Sequence, residues 1–210
     1  MAKKVLIADD HSAIRIGVKQ ICTSEFPAVQ FGEAVNYAEV FQKLKEAAWD
    51  ILILDIDLPG RNGLDILKQI KADKINVPVL MFSFHSEEQI AMRALKTGAA
   101  GYLSKDAADL ELIKAINQIL LGKKYVSQSL SEKLLSLMGD DSNKEPHELL
   151  SDREYQTLLL IASGKTVSEI ADILFLSTPT ISTYRARILE KMKLKNNAEL
   201  TTYAITQKLV

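Results

Sequence analysis

Short apolar runs alternate with helical patterns through the first 122 residues of the chain. The apolar runs predict five β-strands, at residues 5–8, 29–35, 51–54, 77–82 and 101–103. The stretches that follow have apolar positions about every 3.6 residues, which predicts helices at 12–25, 37–47, 64–73, 87–96 and 108–121. Several strands are apolar throughout, as in parallel sheets covered on both faces. We therefore predict an α/β domain over residues 1–122, a doubly wound five-stranded parallel sheet of order 2-1-3-4-5.

The last part of the chain, residues 148–210, has the pattern of a small all-α domain of four helices. Ser151 and Thr166 each stand three residues before a Glu, which is the capping box that opens a helix. Ser177 and Asn197 are expected to cap the third and fourth helices. About two residues separate the second helix from the third, which predicts a helix-turn-helix unit.

Residues 123–147 connect the two predicted domains. Apolar positions at one side of residues 127–138 predict a helix there. The stretch 139–146 is polar, acidic and ends in a proline, which is typical of a flexible linker.

Charge and cysteine content narrow the classes of function. The net charge of -1 does not favour nucleic acid by itself. One stretch, residues 185–195, carries five Lys or Arg side chains against Glu190, so a contact with a polyanion is expected there. A solvated helix face is the alternative. Cys22 is the only cysteine, which excludes an intramolecular disulfide and predicts an inert, buried thiol.

No apolar run is long enough for a signal peptide or a membrane span, so we expect a cytoplasmic protein with no membrane partner.

Polar residues follow four of the five predicted strands. Asp9 and Asp10 follow the first strand, Asp55 the third, Ser83 the fourth and Lys105 the fifth. The carboxyl ends of parallel strands share one edge of a doubly wound sheet, so these side chains are expected to converge. A single Asp after a strand is often only a turn or cap residue, but that reading does not explain the whole set.

Three converging carboxylates repel one another and need a cation. Oxygen ligands without Cys or His favour Mg²⁺, which Asp9, Asp10 and Asp55 would hold together with the backbone carbonyl of Asp57. Because Asp55 ends a central strand, it is the predicted nucleophile that accepts a phosphoryl group and becomes an aspartyl phosphate.

The predicted site also contains residues that could respond to that group. Lys105 and the Ser83 hydroxyl are expected to neutralise and orient the phosphoryl oxygens. Ser83 and Tyr102 form a predicted switch, in which the Tyr102 ring changes its packing when the loop after the fourth strand moves. A half-buried strand aromatic is the alternative for Tyr102.

Several of these stretches carry a resemblance to a known family. They are Ile7-Ala8-Asp9-Asp10-His11, the run from Leu54 to Gly63, Ser83, and the run from Gly98 to Lys105. With them, residues 3–122 resemble the receiver domain of two-component response regulators. The resemblance implies a sensor histidine kinase as phosphodonor, acetyl phosphate as a small-molecule donor, and release or dimerisation of an output domain on phosphorylation.

Residues 149–209 carry a second resemblance, through the stretches 150–154, 161–164, 169–171 and 176–181. They resemble the LuxR-type output domain of the NarL/FixJ class. This implies a transcription regulator that binds double-stranded DNA, as a homodimer when phosphorylated. The DNA-binding candidates lie on the third helix of this domain: Ser182, Thr183, Arg185, Ala186, Arg187 and Lys191.

Some positions depart from the common pattern. Ser182 and Ala186 stand where many relatives have Lys, and the Ser-Thr-Tyr-Arg-x-Arg run resembles the GacA/UvrY and BvgA/EvgA branch. Asp57 and His85 occupy two positions that often tune dephosphorylation. We hypothesise that His85 alters the lifetime of the phosphoryl group; a solvent-exposed loop histidine is the alternative.

Two points stay open at this stage. Leu200 and Tyr203 on the fourth output helix are candidates for a dimer surface, with packing inside the domain as the alternative. A phospho-dependent adaptor that binds a protein through its output helices is the second candidate function. An enzyme acting on external phosphoesters is disfavoured, because no Gly-rich phosphate loop is present.

Overall fold

The computed structural model describes residues 2–59, 61–84, 88–106, 109–127, 130–132, 145–207 and 209–210, with only the backbone described at 88–89. The chain divides into two compact units, Met1–Gly139 and Asp140–Val210. Most of the predicted helix at 127–138 and of the predicted linker at 139–146, as well as His85, lie outside the described residues. Within the described part, no helix is long and apolar enough to cross a membrane.

The first unit is built on a parallel sheet. Its strands are β1 (Lys4–Ala8), β2 (Gln30–Ala34), β3 (Ile51–Leu54), β4 (Val79–Ser83), β5 (Gly101–Ser104) and β6 (Tyr125–Val126). Its helices are α1 (Ser12–Glu25), α2 (Tyr37–Glu46), α3 (Gly63–Ala72), α4 (Glu88–Thr97) and α5 (Asp109–Leu120). The strand order is β2-β1-β3-β4-β5-β6, which confirms the predicted order of the first five strands.

The sixth strand was not predicted. Tyr125 and Val126 pair in parallel with Gly101 and Tyr102 of β5, although the sequence placed them in the linker. A strand of two residues is too short to produce a periodic pattern, so only its tertiary pairing reveals it.

The core of this unit lies on both faces of the sheet. One cluster joins alternate residues of the central strands to α1 and α5, including Val18, Cys22 and Ile116. Leu52 and Leu54, which alternate with those strand residues, are also fully buried. Burial raises the pKa of the Cys22 thiol to about 12, in agreement with the predicted inert thiol.

The second unit is helical. A 3₁₀ turn (Pro146–Leu149) precedes α6 (Asp152–Ala162), α7 (Val167–Leu174), α8 (Thr178–Met192) and α9 (Asn197–Thr206). Both predicted capping boxes are present, Ser151 with Glu154 and Thr166 with Glu169. The turn between α7 and α8 passes through Phe175 in the left-handed conformation, with φ of 53°.

One prediction for α9 was wrong. Its cap is Asn196 and not Asn197, because Asn196 has extended backbone and its side chain accepts from the Glu199 N–H at 3.0 Å. Leu200, a candidate for a dimer surface, is fully buried in the core of the unit. The alternative, packing within the domain, therefore holds for Leu200.

Candidate functional site

Acidic side chains meet at the carboxyl edge of the sheet, as the strand ends predicted. Asp9 follows β1 and Asp55 follows β3, and both are buried, whereas Asp10 is exposed. Carboxylate oxygens of these three residues and a ring nitrogen of His11 all lie within 4.8 Å of one another. This spacing is short enough for one cation to contact several of them.

Lys105 supplies positive charge to this cluster from the end of β5. Its Nζ lies 2.8 Å from Asp55 Oδ2 and 2.6 Å from Asp9 Oδ2, and its side chain is only 1% exposed. The approach to Asp55 has hydrogen-bond geometry. The approach to Asp9 does not, so the buried Oδ2 of Asp9 accepts no hydrogen bond.

The electrostatics of the cluster favour an added cation. Burial raises the pKa of the Asp55 carboxyl above its usual range; Lys105 opposes that rise, while the charges of Asp9 and Asp57 add to it. Hard carboxylate oxygens, excess negative charge and a buried Asp9 oxygen that accepts no hydrogen bond are together suited to Mg²⁺. The residues present therefore fit this ion.

The loop after β3 fixes the position of Asp55. The Asp57 N–H donates to Asp55 Oδ1 at 3.3 Å, and the Gly63 N–H donates to the Ile56 carbonyl at 2.8 Å. A Cβ on Gly63 would collide with the Asp55 carbonyl, so only glycine fits where α3 begins. Binding of Mg²⁺ by the Asp57 carbonyl stays a prediction.

Sequence reasoning missed two residues beside Asp9. His11 Nδ1 lies 2.8 Å from Asp10 Oδ1 and 3.3 Å from Asp9 Oδ1. Arg15 donates from Nη1 to the Asp9 carbonyl at 2.8 Å and from Nε to Glu33 at 2.7 Å. The only signal for Arg15 in the sequence is its place one helical turn after His11, because its partner Glu33 lies on β2 and is distant in sequence.

The predicted switch residues are both buried. Ser83 ends β4 with no exposed surface, and its carbonyl accepts from the Lys105 N–H at 2.8 Å. Tyr102 is 2% exposed, so its ring is buried rather than half-buried. Phe84, which sequence reasoning did not single out, lies with its ring centroid 5.0 Å from Lys105 Nζ. The movement of Ser83 and Tyr102 remains a prediction.

In the second unit, α8 presents part of the predicted DNA-binding set to solvent. Ser182, Thr183, Ala186 and Arg187 are exposed. Arg185 is half-buried, and its Nε donates to the Asn197 side chain at 2.6 Å. Three apolar side chains of the same helix are buried instead, namely Ile181, Ile188 and Met192.

Two remaining candidates make contacts inside this unit. Lys191 Nζ lies 2.6 Å from Glu154 Oε2, a carboxylate that is 3% exposed. Although burial opposes it, Lys191 and the Ser151 groups hold the pKa of Glu154 below its usual range. The Tyr203 hydroxyl lies 2.7 Å from His147 Nδ1. Sequence patterns gave no indication of either contact, since the partners are more than thirty residues apart.

Comparison with protein families agrees with this arrangement. The family model "Response regulator receiver domain" matches residues 5–117. The chain belongs to the response regulator family. A second model, "Bacterial regulatory proteins, luxR family", matches residues 148–204. The chain is therefore a response regulator with a receiver domain and a LuxR-type DNA-binding domain, of the NarL/FixJ class, a family of transcription regulators rather than enzymes.

Curated relatives match over nearly the whole length. Response regulator UvrY of Escherichia coli K12 is 32% identical over 202 residues, covering 96% of this chain and 93% of its own. Response regulator GacA of Pseudomonas syringae pv. syringae is 32% identical, covering 99% and 97%. Oxygen regulatory protein NreC of Staphylococcus carnosus is 32% identical, covering 99% of both chains. The first two agree with the predicted GacA/UvrY resemblance.

Solved structures of RcsB, including two from Salmonella, are also similar. One matches with a TM-score of 0.72 at 25% identity, covering 98% of both chains. Another, bound to the promoter P1flhDC in the presence of the phosphomimetic BeF3-, matches with a TM-score of 0.68 at 25% identity, covering 97% of this chain and 98% of that one. A third shows two RcsB dimers bound to two parallel DNAs and has a TM-score of 0.62 at 26% identity, with 97% and 98% coverage.

Proposed function

We propose that a sensor histidine kinase phosphorylates this response regulator on Asp55 in a Mg²⁺-dependent reaction, and that phosphorylation controls dimerisation and DNA binding to regulate transcription. The observation that carries this proposal is the buried contact of Lys105 with both Asp55 and Asp9. A buried cation between two carboxylates is expected where a third anionic group must be accommodated.

The chemistry assigned to Asp55 is nucleophilic. A carboxylate oxygen of Asp55 attacks phosphorus and forms an O–P bond, while the bond to the donor breaks. The electron pair stays with the leaving group. With the kinase as donor, the leaving group is a ring nitrogen of the kinase's histidine, which takes up a proton; with acetyl phosphate, it is acetate. Lys105, already 2.8 Å from Asp55 Oδ2, is placed to contact a phosphoryl oxygen. When bound, Mg²⁺ would be held by Asp9, Asp10, Asp55 and the Asp57 carbonyl and would neutralise the phosphoryl oxygens.

Transmission of the signal is assigned to β4 and β5. Ser83 is fully buried at the end of β4, and a phosphoryl group on Asp55 offers its hydroxyl a strong acceptor. A move of Ser83 toward that group would disturb the packing around the buried Tyr102 ring on β5. The two residues therefore form the proposed two-state element, biased by local charge.

DNA binding is assigned to the exposed side of α8. Ser182, Thr183, Ala186 and Arg187 face solvent there, and Arg185 borders them while it is braced by Asn197. Hydroxyl groups bond base edges or phosphates, and arginine reaches guanine or phosphate. Lys191 is a weaker candidate than the sequence indicated, because Glu154 engages its ammonium.

Dimerisation would strengthen this binding. Residues 151–210 contain 8 basic and 6 acidic residues, so one copy has a charge of only +2. With Leu200 buried and Tyr203 bonded to His147, the exposed Ile205 of α9 becomes the better candidate for a dimer surface. RcsB, which is similar to this chain, binds DNA as dimers, and this supports the proposal of a DNA-binding dimer.

The decisive experiment compares the wild type with Asp55→Asn. Each protein is sized and tested for DNA binding, with and without acetyl phosphate and Mg²⁺. We expect the donor to promote dimers and DNA binding in the wild type only. A donor-induced change that persists in Asp55→Asn would overturn the proposed mechanism.

A further inference from the structure

Phe84 is a half-exposed aromatic side chain next to the acidic site. It follows Ser83 directly at the end of β4 and is 54% exposed, although other aromatic side chains of this sheet, such as Tyr102 and Tyr125, are almost fully buried. Leaving half of a phenyl ring in water forgoes part of the free energy that its burial would provide. A contact of the ring with a cation would offset part of that loss.

The contact is with the buried ammonium of the acidic site. The Phe84 ring centroid lies 5.0 Å from Lys105 Nζ, within the range in which a cation is attracted to the face of an aromatic ring. Lys105 Nζ is in turn 2.8 Å from Asp55 Oδ2. One ammonium thus separates the ring from the proposed nucleophile.

The ring lies beside the least exposed part of the site. Asp10 and Asp57 are exposed at the same sheet edge, whereas the Lys105 side chain is 1% exposed and Asp55 is 3% exposed. An apolar ring against the ammonium displaces water that would otherwise solvate it. The site is therefore open on the side of the metal ligands and covered on the side of Lys105.

We propose that Phe84 is a cover on the phosphoacceptor site, which restricts access of small phosphodonors and of water to Asp55. The inference rests on the proposed function of Asp55. A small acyl phosphate or phosphoramidate has little binding energy with which to displace the ring. A protein donor gains binding energy from a surface of its own and can move the ring aside. Phe84 thereby determines specificity for protein donors over small ones.

The same cover protects the product. In hydrolysis, a water oxygen attacks phosphorus, the bond between phosphorus and the Asp55 oxygen breaks, and its electron pair returns to the carboxylate. Inorganic phosphate leaves with the protons of the water. A ring that excludes water from this side slows that reaction and lengthens the lifetime of the aspartyl phosphate.

The test measures two rates in the full chain with Mg²⁺. Phosphorylation by acetyl phosphate and by phosphoramidate is followed by intact mass, and loss of the phosphoryl group is followed after the donor is removed. We expect Phe84→Ala to raise both rates by roughly three- to tenfold, the factor that corresponds to the loss of one cation–π contact. Phe84→Leu keeps apolar bulk without an aromatic face, so its rates should lie between those of the wild type and those of Phe84→Ala.

Phe175→Ala is the matched control, because Phe175 is 62% exposed and lies in the other unit. The two rates of Phe175→Ala should equal those of the wild type. The unfolding midpoints of the Phe84 variants should also equal that of the wild type. Unchanged or lower rates in both Phe84→Ala and Phe84→Leu would overturn the inference. If neither donor phosphorylates the wild type or Phe84→Ala above the Asp55→Asn background, the proposed function is overturned. If both proteins are phosphorylated at the same rate, only the inference about Phe84 fails.

Discussion

The Asp55 carboxylate is buried beside a second carboxylate, and Lys105 contacts them both. Because burial raises the pKa of Asp55, the folded state favours the protonated carboxyl. The stability that this group contributes is present below the ordinary aspartate pKa and is lost as the pH rises through the raised pKa. At neutral pH the ionised group therefore opposes folding.

Replacing Asp55 with Asn should consequently stabilise the protein in the absence of divalent cations. We expect Asp55→Asn to have a higher unfolding midpoint than the wild type at pH 7 in EDTA, and the gap to close toward acid pH. Thermal unfolding across that pH range checks this, with the exposed Asp106→Asn as a control that should not change. A lower midpoint at pH 7 would mean that the contact with Lys105 outweighs the cost of burial.

The contact between Glu154 and Lys191 gives stability the opposite dependence on pH. Because the pKa of Glu154 is lowered, its contribution to stability is present above the ordinary glutamate pKa and is lost as the pH falls through the lowered pKa. We expect Glu154→Gln to reduce the free energy of unfolding of the second unit by about 1–2 kcal/mol at pH 7, and the difference to vanish in acid. Chemical denaturation at several pH values measures it. An equal loss in the exposed Glu190→Gln would indicate a general charge effect instead.

The residues of the site were predictable to the extent that the strands position them. Asp9, Asp55 and Lys105 converge because parallel strands end at one edge, and this follows from the apolar pattern alone. The contacts of Phe84 with Lys105, and of Lys191 with Glu154, depend on side-chain conformations and on segments distant in sequence. No periodic pattern encodes them, so the structure was needed to find them.

At the scale of the element, the short edge strand β6 is the main difference from the predicted fold. It packs closely against Gly101 of β5: a Cβ at that position would lie 2.7 Å from the Tyr125 carbonyl oxygen. Its register is also fixed by the hydrogen bond between the Tyr125 hydroxyl and Glu111 of α5. Helices with strong caps, such as α6 and α7, were predicted well because the capping box is local in sequence.

Two glycine substitutions should therefore change stability in opposite directions. We expect Gly101→Ala to lower the free energy of unfolding by about 1–3 kcal/mol, since β6 must move to make room. Gly17→Ala, in α1 with nothing within 4 Å of the added methyl group, should raise it by about 0.5–1 kcal/mol. Denaturant titration of both variants measures the two values. A neutral Gly101→Ala would show that the β5–β6 pairing contributes little.

At the scale of the whole molecule, the two units divide the chemistry between them. The acidic site lies in the first unit, and the exposed basic and hydroxyl side chains of α8 lie in the second. The two family models cover the same two parts of the chain. The overall charge of -1 conceals this division, which is why composition alone indicated no partner.

If α8 binds DNA, the affinity should fall with salt concentration, and removing one arginine from α8 should make that fall less steep. We expect Arg187→Ala to weaken binding and to reduce the slope of log affinity against log salt concentration by about one per subunit. Arg61→Ala is the matched control: it removes one exposed arginine from the first unit and should leave the slope unchanged. An unaltered slope in Arg187→Ala would favour a protein partner for the output helices.

The edge strand β6 also determines where the receiver can be cut from the rest of the chain. A fragment that ends at residue 122 would lack Tyr125 and Val126 and would leave the N–H and C=O groups of β5 unpaired along an open edge. Open edges of this kind recruit strands from other molecules, and aggregation follows. A fragment that continues past Val126 keeps the β5 edge paired. We therefore expect this longer fragment, and not the one that ends at residue 122, to remain monodisperse at high concentration.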